Sequence, residues 1–171
     1  MKLLNKLLGA TLGMLLTTGV SYGADHKLTI SSWAPPGHGL NAQMWPNLIK
    51  MMEEATGGKV TAEVKYGLAP PPAQMDLVLD GAVDMTVIFH GYQTGRFTAT
   101  KLIELPGYSG NAEAASVAYW RVHEKLLAAA NEHRGVKLIG LHTHGPAQLH
   151  SNAKVTSLGG ISGMKILSRL N

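Results

Sequence analysis

The sequence has no cysteine and few charged residues, and each shortage narrows what the chain can be. Without cysteine there can be no disulfide framework, thiolate-bound zinc, iron–sulfur cluster or cysteine nucleophile. Charged residues make up 15% of the 171 residues and hydrophobic residues 45%. This composition is too apolar for a disordered chain, and a chain of this length can bury a hydrophobic core. The formal charge is only +4. Because lysine and arginine do not cluster, the sequence indicates no nucleic-acid partner.

Residues 1–24 have the layout of a secretory signal peptide. Lys2 and Lys6 form a basic start, residues 7–20 are uncharged and apolar, and small residues up to Ala24 offer a cleavage point. A membrane anchor is the alternative, but the apolar stretch is shorter than the roughly 20 residues that cross a bilayer. We therefore predict a periplasmic protein that is not embedded in the membrane after cleavage. Removal of both lysines would leave 13 basic and 11 acidic residues, a net charge of +2.

Strand-like and helix-like segments alternate along the rest of the chain. Val, Ile and Thr dominate the strand-like segments, whereas apolar residues recur at helical spacing in the others. Strands are predicted at residues 27–33, 60–66, 83–89 and 136–141, and helices from Gln43 to the residue before Gly57, at 73–80 and at 111–132, with short strand-like pieces at 148–150 and 164–167. The alternation predicts an α/β fold with a mostly parallel sheet and flanking helices.

Ligands of parallel sheets bind beyond the carboxyl ends of the strands. The loops at those ends cover residues 33–38, 90–96 and 142–148. In one of them, the Arg96 guanidinium could grip a carboxylate by two parallel hydrogen bonds or pair instead with Glu104 at the surface. The candidate ligand-binding residues in these loops are Trp33, His38, His90, Tyr92, Gln93, Arg96 and Gln148. Trp33, Tyr92 and Tyr108 could form pocket walls or belong to ordinary core and rim.

Other motifs suggest different functions with less support. Residues 37–42 match G-x-G-x-x-A after a strand, but Pro35-Pro36 prevents the tight turn of a dinucleotide site and no acid ends the second strand. His142, His144 and His150 could hold zinc in a small periplasmic metal-binding protein, or could be ordinary loop histidines. An exported hydrolase is the third alternative, although no G-x-S-x-G elbow is present. We predict a protein that is not an enzyme and needs neither cofactor nor metal.

Taken together, these segments resemble the solute-binding proteins of tripartite ATP-independent periplasmic (TRAP) transporters. The resemblance extends through SSWAPPGH, AQMWPNLIKMMEEATGGKVTAEVKYG, APPPAQMDLVLDGAVDMTVIFHGYQTGRF, ELPGY, AYWRVHEKLLAA, GVKLIGLHTHGP and GMKI, up to Ile166. It implies a receptor of two α/β lobes that captures a small organic carboxylate (a keto, hydroxy or aromatic acid) and delivers it to membrane permease subunits. It also favours Arg96, within Gly95-Arg96-Phe97, as a carboxylate partner.

The resemblance also implies that this chain is a periplasmic-binding-protein-like lobe truncated at the start of the second lobe. The expected organisation is a signal peptide at 1–24, a first lobe at 25–144, and a crossing strand with an incomplete second lobe at 145–171. Family members place an arginine directly after the GMKI strand, where this chain has Leu167 and brings Arg169 two positions later. A frameshift or a deliberate truncation would produce this pattern. We therefore expect impaired solute binding.

Overall fold

The computed structural model describes residues 24–105, 107, 110–145 and 150–165. The signal-peptide prediction at 1–24 falls almost wholly outside these residues, and Tyr108, Gln148 and Arg169 lie outside them too. In this described part of the chain, no helix has both the length and the apolar character needed to cross a membrane.

Three parallel strands form the sheet, in the order β2-β1-β3. Strand β1 (His26–Ser32) pairs with β2 (Val60–Tyr66) over its whole length, from His26 opposite Val60 to Ser32 opposite Tyr66. The β-branched Ile30 is 0% exposed, as expected for the middle strand, which is covered on both faces. The first two predicted strands and their parallel pairing are confirmed.

A helix crosses from β1 to β2 and follows the predicted pattern closely. A π-helical turn (Leu40–Met44) leads into α1 (Trp45–Thr56), and Pro46 sits in the first turn of α1, where a missing N–H costs nothing. Gly57 ends α1 with φ of 61°, and its N–H donates to the carbonyls of Glu53 and Glu54. A second short helix, α2 (Gln74–Leu79), follows the 3₁₀ turn Pro71–Ala73, also as predicted.

Two strand predictions are wrong: one strand is shorter than predicted, and the other does not form in the described residues. The run at 83–89 forms only a short strand, β3 (Met85–Thr86), paired through Ile30 opposite Met85. The segment 136–141 forms no strand within the described residues, and Ile139 in it is 62% exposed. Apolar β-branched residues favour an extended chain, but a strand forms only where a neighbour accepts its hydrogen bonds. No described strand lies on the outer side of β3.

The predicted helix at 111–132 is helical but changes type along its length. Helix α3 (Ala112–Val122) begins at Asn111, whose Oδ1 accepts a hydrogen bond of 2.9 Å from the Ala114 N–H. It continues as a π-helical stretch (His123–Leu127) and a 3₁₀ turn (Ala128–Ala130). The wider π turn rotates the inward face. His123 is therefore buried, whereas Leu126, predicted on the inner face, is 70% exposed.

Glu132, just beyond this helical run, ties it to the 3₁₀ segment Ala99–Glu104. Its buried carboxylate accepts hydrogen bonds from the backbone N–H groups of Thr98 (2.5 Å), Ala99 (2.6 Å) and Thr100 (3.1 Å). Burial acts to raise the pKa of Glu132, but these donors outweigh it and hold the pKa below its ordinary value.

Replacement of Glu132 by glutamine is expected to lower the free energy of unfolding by about 1–2 kcal/mol at pH 7, because three N–H groups lose a charged acceptor. Since the folded-state pKa is lowered, this stabilisation is present above the unfolded value of 4.5 and disappears as the pH falls below it. Thermal unfolding at pH 7 and pH 3 measures the effect. The exposed Glu124→Gln is the matched control, and an equal loss in both variants would contradict the role of Glu132.

Candidate ligand-binding site

Aromatic side chains meet at the carboxyl ends of β1 and β3. Trp33 follows β1, and its ring centroid lies 5.7 Å from that of Phe89 and 5.8 Å from that of His38. Phe89 lies 5.7 Å from Tyr92, edge to face, and 6.2 Å from His144. We call these five residues the aromatic cluster. Trp33, Phe89 and Tyr92 are half-buried whereas His38 and His144 are exposed, so the cluster is open to solvent on the side of the two imidazoles.

The loop that carries Trp33 and His38 is held by a buried asparagine. Asn41 donates hydrogen bonds from Nδ2 to the carbonyl oxygens of Ala34 (2.8 Å) and Pro35 (2.9 Å). The His38 N–H also donates to the Pro35 carbonyl at 2.9 Å. Pro35-Pro36 removes backbone freedom from this loop, and Asn41 satisfies two of its carbonyls. These contacts hold the loop that carries Trp33 and His38 in place.

The second loop of the cluster is a tight turn after β3. Residues His90–Tyr92 form a 3₁₀ turn in which the Tyr92 N–H donates to the Phe89 carbonyl at 3.1 Å. Gln93 then donates from Nε2 to the Pro72 carbonyl at 2.6 Å. Gln93 thus anchors the turn to the segment before α2, and any further role in solute binding stays a prediction.

His90 and Arg96 contact other parts of the fold. The His90 ring stacks on Phe97 with a centroid distance of 4.0 Å. Arg96 donates from Nε to the Glu132 carbonyl at 3.0 Å and from Nη2 to the Arg134 carbonyl. No ion pair joins Arg96 to Glu104 in the described part of the chain. The guanidinium therefore holds the turn that follows the α3 helical run. Ligand contacts by Arg96 and His90 stay predictions.

His90 lies in a group with two histidines, His123 and His133, that the sequence did not single out. His90 Nδ1 is 3.1 Å from Tyr119 Oη, and His90 Nε2 is 3.2 Å from His133 Nε2. The His123 ring lies 5.2 Å from that of His133. We call His90, Tyr119, His123 and His133 the histidine cluster. The i, i+4 spacing of Tyr119 and His123 was the available signal, whereas His133 comes near only through the fold.

Burial dominates the electrostatics of the histidine cluster. Burial, with a smaller effect of nearby His133, lowers the pKa of His90 from 6.5 to about 4. Burial and the neighbouring His123 lower the pKa of His133 as well. Burial raises the pKa of Tyr119 to about 12. At neutral pH, His90, His133 and Tyr119 are therefore uncharged.

The metal-binding alternative gains no support from the geometry. Across the described ranges, no group of three or more histidine, cysteine, aspartate or glutamate side chains is placed to hold a metal ion. His142, His144 and His150 are all described, and they are not gathered into such a group. His144 instead lies beside Phe89 in the aromatic cluster.

Comparison with known proteins decides the family. Residues 30–169 match the family described as bacterial extracellular solute-binding protein, family 7 (DctP). The chain belongs to this family. The predicted resemblance to TRAP solute-binding proteins and the α/β fold with a parallel sheet are both confirmed. Family 7 is a family of solute-binding proteins and not of enzymes.

Similar structures place this family 7 chain among TRAP solute-binding proteins. One, from Bordetella bronchiseptica with bound (R)- and (S)-mandelate, is 40% identical with a TM-score of 0.67, over 70% of this chain and 38% of that one. Another, from an unidentified marine microbe and specific for aromatic acid ligands, holds 3-hydroxybenzoate. It is 27% identical with a TM-score of 0.74, over 81% of this chain and 44% of that one.

A relative from Comamonas testosteroni, described as outer membrane transporter protein TsaT, is 25% identical over 148 residues, which make up 85% of this chain and 44% of the relative. The family 7 chain thus spans less than half the length of each of these three proteins.

Proposed function

We propose that this chain carries part of the solute site of a TRAP-type receptor for small aromatic carboxylates. The observation that carries the proposal is the aromatic cluster, which lies at the carboxyl ends of parallel strands, where such sheets bind ligands. The mandelate and 3-hydroxybenzoate in the similar structures are aromatic acids and support this choice of solute class.

The chemistry of the cluster suits a flat aromatic acid. Trp33 and Phe89 are tilted by 57° to each other and half-buried, so a solute ring can pack against a face of one and an edge of the other. The exposed imidazole of His38 stands at the open side, where its Nε2–H can meet a carboxylate because its Nδ1 accepts from the Leu40 N–H. The exposed His144 lies there too, and its Nδ1 donates to the Gly145 carbonyl. Tyr92 adds a third aromatic wall with a hydroxyl at its tip.

We propose Arg96 as a partner for the solute carboxylate, although part of its guanidinium is already engaged in hydrogen bonds. Its Nε and Nη2 already donate to the carbonyls of Glu132 and Arg134. A guanidinium carries five N–H donors in its plane, so a solute would have to use the two hydrogens of Nη1 and the second hydrogen of Nη2. His90, Gln93 and Gln148 complete the set of proposed solute-contacting residues, together with Trp33, His38 and Tyr92.

We further propose the same organisation and location that the sequence suggests. Residues 1–24 would direct export to the periplasm, 25–144 would form the first lobe, and 145–171 would begin the crossing into the second. The bound acid would be delivered to the permease subunits of a TRAP transporter. A site built from the aromatic cluster alone leaves much of a solute in water, so this chain by itself should bind weakly.

Ligand-observed saturation-transfer NMR, followed by titration, tests the solute class. We expect 3-hydroxybenzoate and mandelate to bind weakly, with cyclohexanecarboxylate weaker still because it has the charge without the aromatic face. Trp33→Leu should weaken binding of the aromatic acids by about tenfold, the scale of a lost aromatic contact. Trp120→Leu is the matched control, since Trp120 lies on α3.

Two results would count against the proposal in different ways. Equal binding of the aromatic and alicyclic acids would reject the aromatic cluster as the solute site. A micromolar or tighter dissociation constant for the purified chain would keep the site and reject impaired binding.

A further inference from the structure

The aromatic and histidine clusters are joined by one turn of backbone. Phe89 and Tyr92 belong to the aromatic cluster, and His90 stands between them in the 3₁₀ turn. The Gln93 N–H closes this turn onto the His90 carbonyl at 3.0 Å. Any displacement of His90 must therefore move the two aromatic rings that flank it.

The imidazole ring of His90 contacts other residues through one face and through both of its nitrogens. Its face stacks on Phe97 with an interplanar angle of 8°, its Nδ1 meets Tyr119 Oη, and its Nε2 meets His133 Nε2 at 3.2 Å. A contact between two imidazole nitrogens is a hydrogen bond only when a single hydrogen lies between them, one nitrogen donating and the other accepting. The arrangement therefore requires that the two facing nitrogens carry one hydrogen in total.

We propose that the His90–His133 pair positions the aromatic cluster, holding the turn with Phe89 and Tyr92 in place while the pair is neutral and releasing it when both imidazoles are protonated. In the doubly protonated pair each Nε2 carries a hydrogen, so two N–H groups face each other without an acceptor. Both histidines are positioning residues in this scheme, since they act through Phe89 and Tyr92. Only the consequence for solute binding rests on the proposed function.

Charged and titratable groups from every neighbouring element face the pair. They are Arg96 from the loop before the 3₁₀ segment, Tyr119 and His123 from the α3 helical run, and Glu132 beyond it. Glu104 from the 3₁₀ segment acts on Tyr119. Glu132 favours protonation of the pair, whereas His123 and burial oppose it. Because the Glu132 carboxylate already accepts three backbone N–H groups, it stabilises positive charge on the pair only in part.

The direction of the pH dependence follows from the lowered pKa values. A histidine whose folded-state pKa lies below its unfolded value stabilises the fold above that unfolded value, and the stabilisation is lost as the pH falls. For His90 the loss runs from 6.5 down to about 4. The position of the turn is therefore expected to hold at neutral pH and to fail progressively across this acid range.

Fluorine NMR of the purified full chain labelled with 5-fluorotryptophan tests the proposal without any ligand. Trp33 lies 5.7 Å from Phe89 and reports on the aromatic cluster, whereas buried Trp45 reports on the fold as a whole. We expect the Trp33 signal to shift as the pH falls from 6.5 to about 4 while the Trp45 signal stays constant. Proton NMR of the imidazole Cε1–H groups should show His90 and His133 titrating below the ordinary histidine value of 6.5.

His133→Gln separates positioning from simple structural support. A glutamine amide can turn its NH₂ toward neutral His90 or its oxygen toward protonated His90, so the Trp33 shift should be largely abolished. The exposed His26→Gln is the matched control and should leave the shift unchanged.

An unchanged Trp33 shift in His133→Gln would overturn the proposal, as would a shift that occurs together with that of Trp45. If His133→Gln does not fold, titration of His90 in the unaltered chain at or above 6.5 would overturn the proposal equally. The affinity for 3-hydroxybenzoate, measured separately over the same pH range, should decline with the Trp33 shift. Failure of that acid to bind would reject the solute class and leave the tryptophan result intact.

Discussion

Phe97→Ala is expected to lower the free energy of unfolding by about 3–5 kcal/mol, the usual cost of removing a buried phenylalanine ring. Phe97 is 1% exposed, stacks on His90 and lies 5.1 Å from the His133 ring. The Arg96 guanidinium carbon lies 5.9 Å from its centroid. Removing the ring would therefore leave a cavity and loosen the turn that carries the aromatic cluster. A typical domain has only about 5–15 kcal/mol of stability to lose.

Urea unfolding followed by circular dichroism measures this loss. Phe97→Leu is the control because it keeps an apolar side chain and leaves a smaller cavity, so its cost should be clearly lower. Leu102→Ala, an exposed leucine of the Ala99–Glu104 segment, should be nearly neutral. A Phe97→Ala variant as stable as Leu102→Ala would show that this ring does not support the fold.

Gln74→Leu is expected to cost about 1–3 kcal/mol, because it removes two hydrogen bonds that this buried side chain makes with half-buried partners. Gln74 is 0% exposed. Its Nε2 donates to the Ala69 carbonyl at 2.7 Å, and its Oε1 accepts from the Thr86 hydroxyl at 2.9 Å. That hydroxyl also lies 3.1 Å from the Ser31 carbonyl. Gln74 thus connects α2 to β3, at a hydroxyl that also lies against the backbone of β1.

A double-mutant cycle with Thr86→Val tests this connection. The two substitutions share one hydrogen bond, so the loss in Gln74→Leu/Thr86→Val should be smaller than the sum of the single losses by about 0.5–1.5 kcal/mol. Urea unfolding of the four proteins gives the coupling. Strictly additive losses would mean that the amide and the hydroxyl do not interact in solution.

The grouping of three residues in the aromatic cluster could be predicted from strand geometry alone. Trp33, His38 and Tyr92 were expected beside one another because parallel strands bring their carboxyl ends to one edge of the sheet, and the structure brings them together. His90 and Arg96 were predicted on the same loop by the same rule. The rule locates a loop but does not specify side-chain contacts, and these two residues pack against the α3 helical run and the turn beyond it.

Local sequence determined β1, β2, α1 and α2, because each is specified by neighbouring residues: alternating β-branched residues, Pro46 in a first turn, and Gly57 in a left-handed conformation. Trp33 and Tyr92 of the aromatic cluster were also predicted there, as residues that follow strands. The tertiary structure decided the short length of β3, the π turn that buries His123, and the meeting of His90 with His133. Each of these depends on a partner far away along the chain, and local periodicity carries no information about such a partner.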